Sequence, residues 1–300
     1  MKKITIILLV IVHSLAFAQT DAGKTGLSFL NIGVGAGESA LAEAVSTLAR
    51  SPFSINYNPA LLSFFENSNI GLMHNEWIQD VSSEFLISNF SLFGQRFVAS
   101  VNSTNISEIE IRTRPGEKEG SFNAHYLNIG IGSAIMLNED ISIGVNIKYL
   151  YESIFEYEAS GYGLDFGLMH RNIFSNLNLG IALRNLGTMS KLNQESTKLP
   201  TELRIGTSYN EILKFADFSF TPSVDIQKYF STEGFPFLIG LEAEYSKMIY
   251  LRFGYRTGRE LNGFSTGVGL SWKGIQADYA FVPFSQSFGS ANIFSIHIEL

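Results

Sequence analysis

The chain has no cysteine. No disulfide can staple it, no thiolate can bind a metal, and no cysteine nucleophile is present. Proline is scarce at 7 in 300 residues, and only 16% of residues are charged. Long apolar runs are also missing. The one near the N-terminus, Ile4 to Val12, falls well short of the ~20 residues a spanning helix needs. Beyond it, polar or charged residues interrupt every apolar stretch, so a chain like this can cross a membrane only as a closed β-barrel. Basic clusters are absent too. The formal charge is −7, and an acidic chain of this kind does not suit nucleic acid.

What is present fits an exported protein. Lys2 and Lys3 precede the apolar run, and Ala16-Phe17-Ala18 follows it. This is the layout of a signal peptide cleaved after Ala18. Losing two lysines with it takes the charge from −7 to −9. The remainder is rich in Phe (25), Tyr (12) and Gly (27), a composition that favours strands over helices.

Past residue 68 the sequence alternates. Ile141, Ile143, Val145, Ile147 and Tyr149 take turns with Ser142, Gly144, Asn146 and Lys148. Leu177, Leu179, Ile181 and Leu183, then Phe237, Ile239, Leu241 and Ala243, do the same. Period two over about ten residues is the pattern of lipid-facing and lumen-facing positions in a membrane barrel. About 14 such strands are expected between 68 and 300. Short turns at Gly94-Gln95, Asn138-Glu139, Ser246-Lys247 and Lys273-Gly274 alternate with polar loops over 108–121, 187–200, 229–234, 257–261 and 283–289. Such a division suits an outer-membrane barrel with periplasmic turns and external loops. Trp77, Tyr149, Tyr151, Tyr157, Tyr209, Tyr229, Tyr250 and Trp272 lie near strand ends, as an interfacial girdle would. The last strand runs to Leu300, where it can close the barrel against the first.

Residues 19–67 differ. Gly33, Gly35 and Gly37 precede an Ala-rich stretch from Glu38 to Arg50 that reads as a short helix. The turn Asn58-Pro59-Ala60 follows, with Pro59 forcing Asn58 extended. Too small for a domain, this segment is expected to plug the barrel. The organisation expected is therefore a signal peptide over 1–18, a plug over 19–67 and a barrel over 68–300.

At this point the sequence resembles the PorV/PorQ family, itself similar to FadL fatty-acid channels. The likeness rests on the run from Ser28 to Gly37, on Asn58-Pro59-Ala60, and on His74 to Ile78 with Ser83-Glu84-Phe85. Ser160 to Gly167, Leu183 to Gly187 and Leu199-Pro200 extend it. Leu61 in place of a glycine, and the helical Leu41 to Ala44, mark a divergent member. The resemblance implies a fourteen-stranded outer-membrane barrel, a plug turn at Asn58, Pro59 and Ala60, and a tie to type IX secretion with secreted proteins or secretion components as partners. Its FadL side implies instead a channel for hydrophobic solutes.

No enzyme chemistry is expected, and no cofactor or metal. Gly263-Phe-Ser265-Thr-Gly267 fits the nucleophile-elbow pattern, but Ser265 sits in an alternating strand with no helix after it. The glycines at 33, 35 and 37 lack the strand before and the Lys-Ser after that a phosphate loop requires. The four histidines after the leader, His74, His125, His170 and His297, have no partners at ligand spacing.

Glu152, Asp165, Arg184, Arg204, Asp225, Glu242, Glu244, Arg252, Arg256, Asp278 and Glu299 occupy the polar register of their strands. A basic group on the lipid face costs about 2–4 kcal/mol near the midplane, so all are expected to face inward. Asp165, Arg184, Arg204, Glu242 and Arg252 are the candidates for a mixed-sign lumen network that braces the plug.

Overall fold

The structure, a computed structural model, describes residues 26–258 and 262–300. The expected signal peptide lies outside the described residues. Fourteen antiparallel strands close into one barrel. They are β1 (Asn69–Glu76), β2 (Val81–Leu92), β3 (Gln95–Ile111), β4 (Gly120–Met136), β5 (Ile141–Ile154), β6 (Tyr157–Phe174) and β7 (Leu177–Met189). Then follow β8 (Glu202–Tyr209), β9 (Phe218–Tyr229), β10 (Phe237–Tyr245), β11 (Ile249–Arg256), β12 (Phe264–Trp272), β13 (Ile275–Pro283) and β14 (Ser290–Glu299). Each pairs with the next, and β1 pairs with β14 from Asn69 opposite Glu299 to Glu76 opposite Asn292. The terminal strand thus closes the barrel, leaving no sheet edge in lipid.

Alternation sets the two faces. On β5, Ser142, Asn146, Lys148 and Glu152 are buried inside, while Ile143, Val145, Ile147 and Tyr149 are exposed outside. The outer wall is an aliphatic and aromatic belt that includes Ile131, Phe166, Leu241, Phe253 and Leu270. An exposed apolar surface of this extent on a closed barrel is a lipid-facing surface.

Tight turns join strands at one end. Phe93-Gly94, Ser246-Lys247 and Lys273-Gly274 all hold left-handed backbone at both central residues, with φ between 49° and 80°. That conformation matches the twist of the flanking strands. The opposite end carries the longer connections 112–119, 190–201, 230–236 and 284–289. The division is less strict than the sequence suggested. β1–β2 and β5–β6 are joined at the loop end by only 77–80 and 155–156, because β5 and β6 stay paired out to Ile154 opposite Tyr157. At the turn end, 210–217 is longer, and its Leu213–Phe215 folds back onto β9.

The aromatic girdle needs correction as well. Tyr149 and Trp272 stand exposed on the outside, whereas Tyr157 keeps the inward register of β6 and is exposed at the loop-end rim. Tyr229 and Tyr250 also occupy inward register positions. The Tyr229 hydroxyl accepts from Gln227 at 2.9 Å, and the Arg252 guanidinium lies 5.0 Å from the Tyr250 ring.

Residues 26–68 fill the barrel. They form a 3-10 turn (Ser28–Asn31), a one-turn helix α1 (Ala36–Ala40) and two further 3-10 turns (Pro52–Asn56 and Pro59–Phe64). The helix expected over 38–50 is shorter and begins earlier. Ala42 and Glu43 adopt φ of 52° and 63°, which ends it. Their carbonyls turn outward and are taken by wall arginines, Ala42 by Arg256 at 3.4 Å and Glu43 by Arg204 at 2.5 Å. Tertiary hydrogen bonds here override an Ala-rich helix propensity.

Candidate functional site

Two features of the interior organise the plug: a turn that grips the wall, and charged clusters that grip the plug. Asn58 caps the Pro59–Phe64 turn, its Oδ1 accepting from the Ala60 N–H at 3.1 Å. The same side chain donates through Nδ2 to the Ser46 carbonyl at 2.8 Å and to the Leu168 carbonyl at 3.1 Å. Ser142 donates to the Ala60 carbonyl at 2.8 Å. The turn comes this close because β5 and β6 present glycines to it. A Cβ at Gly144 would overlap the Pro59 carbonyl group, and one at Gly167 would overlap Asn58 Oδ1.

Charges gather in two clusters rather than one. In the first, Arg204 reaches Asp225 at 3.6 Å, Glu202 at 3.7 Å and Glu43 of the plug at 3.5 Å. Arg184 contacts Glu202, and Lys148 pairs with Asp165 at 2.7 Å. Asp165 also accepts from the Asn185 N–H at 2.8 Å. Arg256 reaches Glu43 at 2.9 Å. Tyr57 of the plug lies among these groups. Its ring faces the Arg204 and Arg184 guanidiniums at 5.3 and 5.5 Å, and its hydroxyl donates to the Val34 carbonyl at 2.9 Å. In the second cluster, Arg252 bridges Glu242 at 2.8 Å and Asp278 at 2.5 Å, and Arg50 of the plug pairs with Glu242 at 3.0 Å. Glu38 faces this cluster and accepts from Ser51. Burial, its largest influence, lifts the Glu38 carboxyl to about 7; Asp278 adds to the rise while Ser51 and Arg252 oppose it.

Of the five network candidates, Asp165, Arg184 and Arg204 therefore meet in the first cluster, and Glu242 and Arg252 in the second. Glu152, Asp225, Arg256 and Asp278 are buried as their register requires. Glu299 keeps the inward register of β14 but lies exposed at the turn-end rim, beside Asn67, and Glu244 is only half-buried. Lys148, Glu202, Glu43 and Arg50 are partners that the sequence reading did not single out. Lys148 and Glu202 carried a usable signal, since each shares the inward register of its strand.

Ser265 is a plug anchor by its contacts. Its hydroxyl donates to the Ala40 carbonyl at 2.9 Å and accepts from the Ala42 N–H at 3.0 Å. His297 is buried on the inward side of β14, whereas His74 faces out at the loop end beside Glu84. No group of three metal-binding side chains occurs among the described residues.

An apolar packed cluster lies at the loop end. Leu150, Ala159, Met189 and Leu199 surround Leu27 and Phe29 of the plug, and Phe29 stacks on Tyr126 with ring centroids 5.2 Å apart. Leu27 holds a left-handed backbone, φ 49°. Two small cavities, of about 30 and 10 Å3, lie against the plug elsewhere. Each has room for about one water.

No family model and no curated protein matches the sequence. The PorV/PorQ resemblance and its tie to type IX secretion thus gain no support from either comparison. Solved structures do match. The "CymD monoaromatic hydrocarbon channel" is 12% identical, with a TM-score of 0.57, over 92% of this chain and 99% of its own. The toluene transporter TodX of Pseudomonas putida is 11% identical, with a TM-score of 0.59, over 89% and 97%. A FadL homologue of Pseudomonas aeruginosa is 12% identical, with a TM-score of 0.55, over 88% and 97%. At these identities the likeness is one of fold: the chain is a plugged fourteen-stranded barrel with the architecture of FadL-type outer-membrane proteins.

Proposed function

We propose that this protein is a plugged outer-membrane conduit for small hydrophobic solutes. The observation that carries this reading is the apolar cluster around Leu27 and Phe29. It is an apolar, aromatic-floored site at the loop end, filled by the plug's own side chains. Leu27 sits in a backbone conformation that costs roughly 1–2 kcal/mol for a residue with a Cβ, so its place is held by burial. A solute of like chemistry can take the place of these side chains, and a single aromatic ring matches the stacking surface that Tyr126 gives Phe29. Two of the similar folds are described as carriers of monoaromatic hydrocarbons and toluene.

The test is uptake of radiolabelled toluene by cells that express the chain and by cells that lack it. A several-fold rise on expression, altered by Phe29→Ala, is expected. Equal uptake in both strains would overturn the reading.

A second reading, a PorV/PorQ-like scaffold that binds exported proteins through its external loops, is favoured by one observation: the two cavities against the plug, of about 30 and 10 Å3, each have room for about one water. Loss of surface proteins from a deletion strain with unchanged toluene uptake would select it.

A further inference from the structure

The outer wall is indented on one side. Across β4 to β7 a groove of about 590 Å3 opens outward between Ile135, Ile143, Val145, Phe166, Leu168 and Leu183. Its floor is main chain at Ala134, Gly144 and Gly167, positions whose side-chain direction is inward. The plug accounts for the indentation. With no Cβ at 144 or 167, the wall closes directly onto Pro59 and Asn58. Ser142 and the Leu168 carbonyl then fasten it there through the Ala60 carbonyl and the Asn58 amide. The outward side chains on either side keep their length, and they become the groove's banks.

All six banking side chains are aliphatic or aromatic. Ser133, at one margin, donates its hydroxyl to the Arg96 carbonyl at 2.8 Å. Water has no partners on such banks, and an empty groove forfeits dispersion contacts along its length.

Position identifies the occupant. The groove is continuous with the apolar belt, so what fills it comes from the bilayer. It also lies in the half of the wall nearer the tight turns: Ile135 and Ile143 flank the 137–140 turn. Short turns mark the periplasmic end of such barrels. The geometry points to a binding site for one acyl chain of a phospholipid from the periplasmic leaflet, seated outside Gly144 and Gly167 and retained when bulk lipid is stripped. The acyl chain and the Asn58-Pro59-Ala60 turn occupy opposite faces of the same two strands. Each backs the other at the point where the wall carries no inward side chain. This site does not depend on the protein's being a solute conduit.

The experiment is lipid extraction and mass spectrometry of the purified full-length barrel after exhaustive detergent exchange. Wild type is expected to keep near-stoichiometric phospholipid. Val145→Trp and Leu168→Trp, which fill the groove, should lose it several-fold. Val268→Trp, on an outward position of β12 away from the groove, should keep it. Heated and unheated gel mobility confirms a closed barrel for each variant. Wild type free of phospholipid overturns the site, as does equal retention in the groove-filling variants or recovery of free fatty acid in place of phospholipid. If Val145→Trp does not form a barrel, Leu168→Trp and the wild-type measurement still decide.

Discussion

The side-chain amide of Asn58 donates to the main-chain carbonyl of Leu168 across 3.1 Å, tying the plug turn to β6 at a residue whose own side chain faces lipid. Asn58→Ala removes this bond, the bond to Ser46 and the cap on Ala60. Loss of a cap alone costs about 1 kcal/mol, and the unpaired carbonyls add to it. The plug should become sensitive to trypsin at the half-exposed Arg50 while the barrel stays closed. Asn58→Asp should be worse than Asn58→Ala. It keeps the acceptor for Ala60 but sets a carboxylate against the Ser46 and Leu168 carbonyl oxygens.

Gly144→Val and Gly167→Val place side-chain atoms where Pro59 and Asn58 now sit. Neither glycine has a positive φ, so the effect is one of space rather than backbone strain. Displacement of the plug with retention of heat-modifiable mobility is expected. The reading is increased sensitivity of the expressing cells to large antibiotics that the outer membrane normally excludes.

Arg204 is fully buried with Glu43, Glu202 and Asp225 around it. Arg204→Met leaves these carboxylates short of a cation, and breaking a buried pair costs about 3–5 kcal/mol. The temperature at which the barrel loses its fast gel mobility should fall clearly. Lysine should rescue poorly, because one ammonium cannot reproduce the planar fork that reaches three carboxylates and the Glu43 carbonyl.

Glu38 gives the plug a pH dependence. Its carboxyl holds its proton up to about 7 in the folded protein, against an ordinary 4.5 in the unfolded chain. Between these values the unfolded state binds fewer protons than the folded state, so plug stability falls as pH rises through that window. The full effect is roughly 3 kcal/mol. Glu38→Gln should flatten the dependence of trypsin protection on pH between 5 and 8 and protect the plug at the upper end.

The barrel was legible in the sequence because alternation between lipid and lumen is enforced at every position. Strands expected over 140–153 and 235–246 occur as Ile141–Ile154 and Phe237–Tyr245. The inward register of Arg204, Glu242 and Arg252 was legible for the same reason. Pairing was not. Whether Arg204 meets Glu202, Asp225 or Glu43 depends on cross-strand register and on the path of the plug, which no local pattern records. The plug's own form was hidden most. The stretch from Glu38 to Arg50 has helical composition, yet the carbonyls of Ala42 and Glu43 are drawn off by distant arginines. Tyr250 failed the girdle expectation because nearness to a strand end says nothing of which face a residue takes.

Whether the plug must move for solutes to pass is the point on which the account turns. Because the chain contains no cysteine, an introduced pair reports unambiguously. Ala40 of α1 and Gly267 of β12 are close enough for this, since a Cβ built on Gly267 lies 2.6 Å from that of Ala40. Relaxation by about an ångström reaches disulfide geometry. Toluene uptake should be measured in cells carrying Ala40→Cys with Gly267→Cys, before and after reduction. Uptake that is abolished in the oxidised form and restored by reductant is the predicted result; undiminished uptake through the locked barrel would contradict the account.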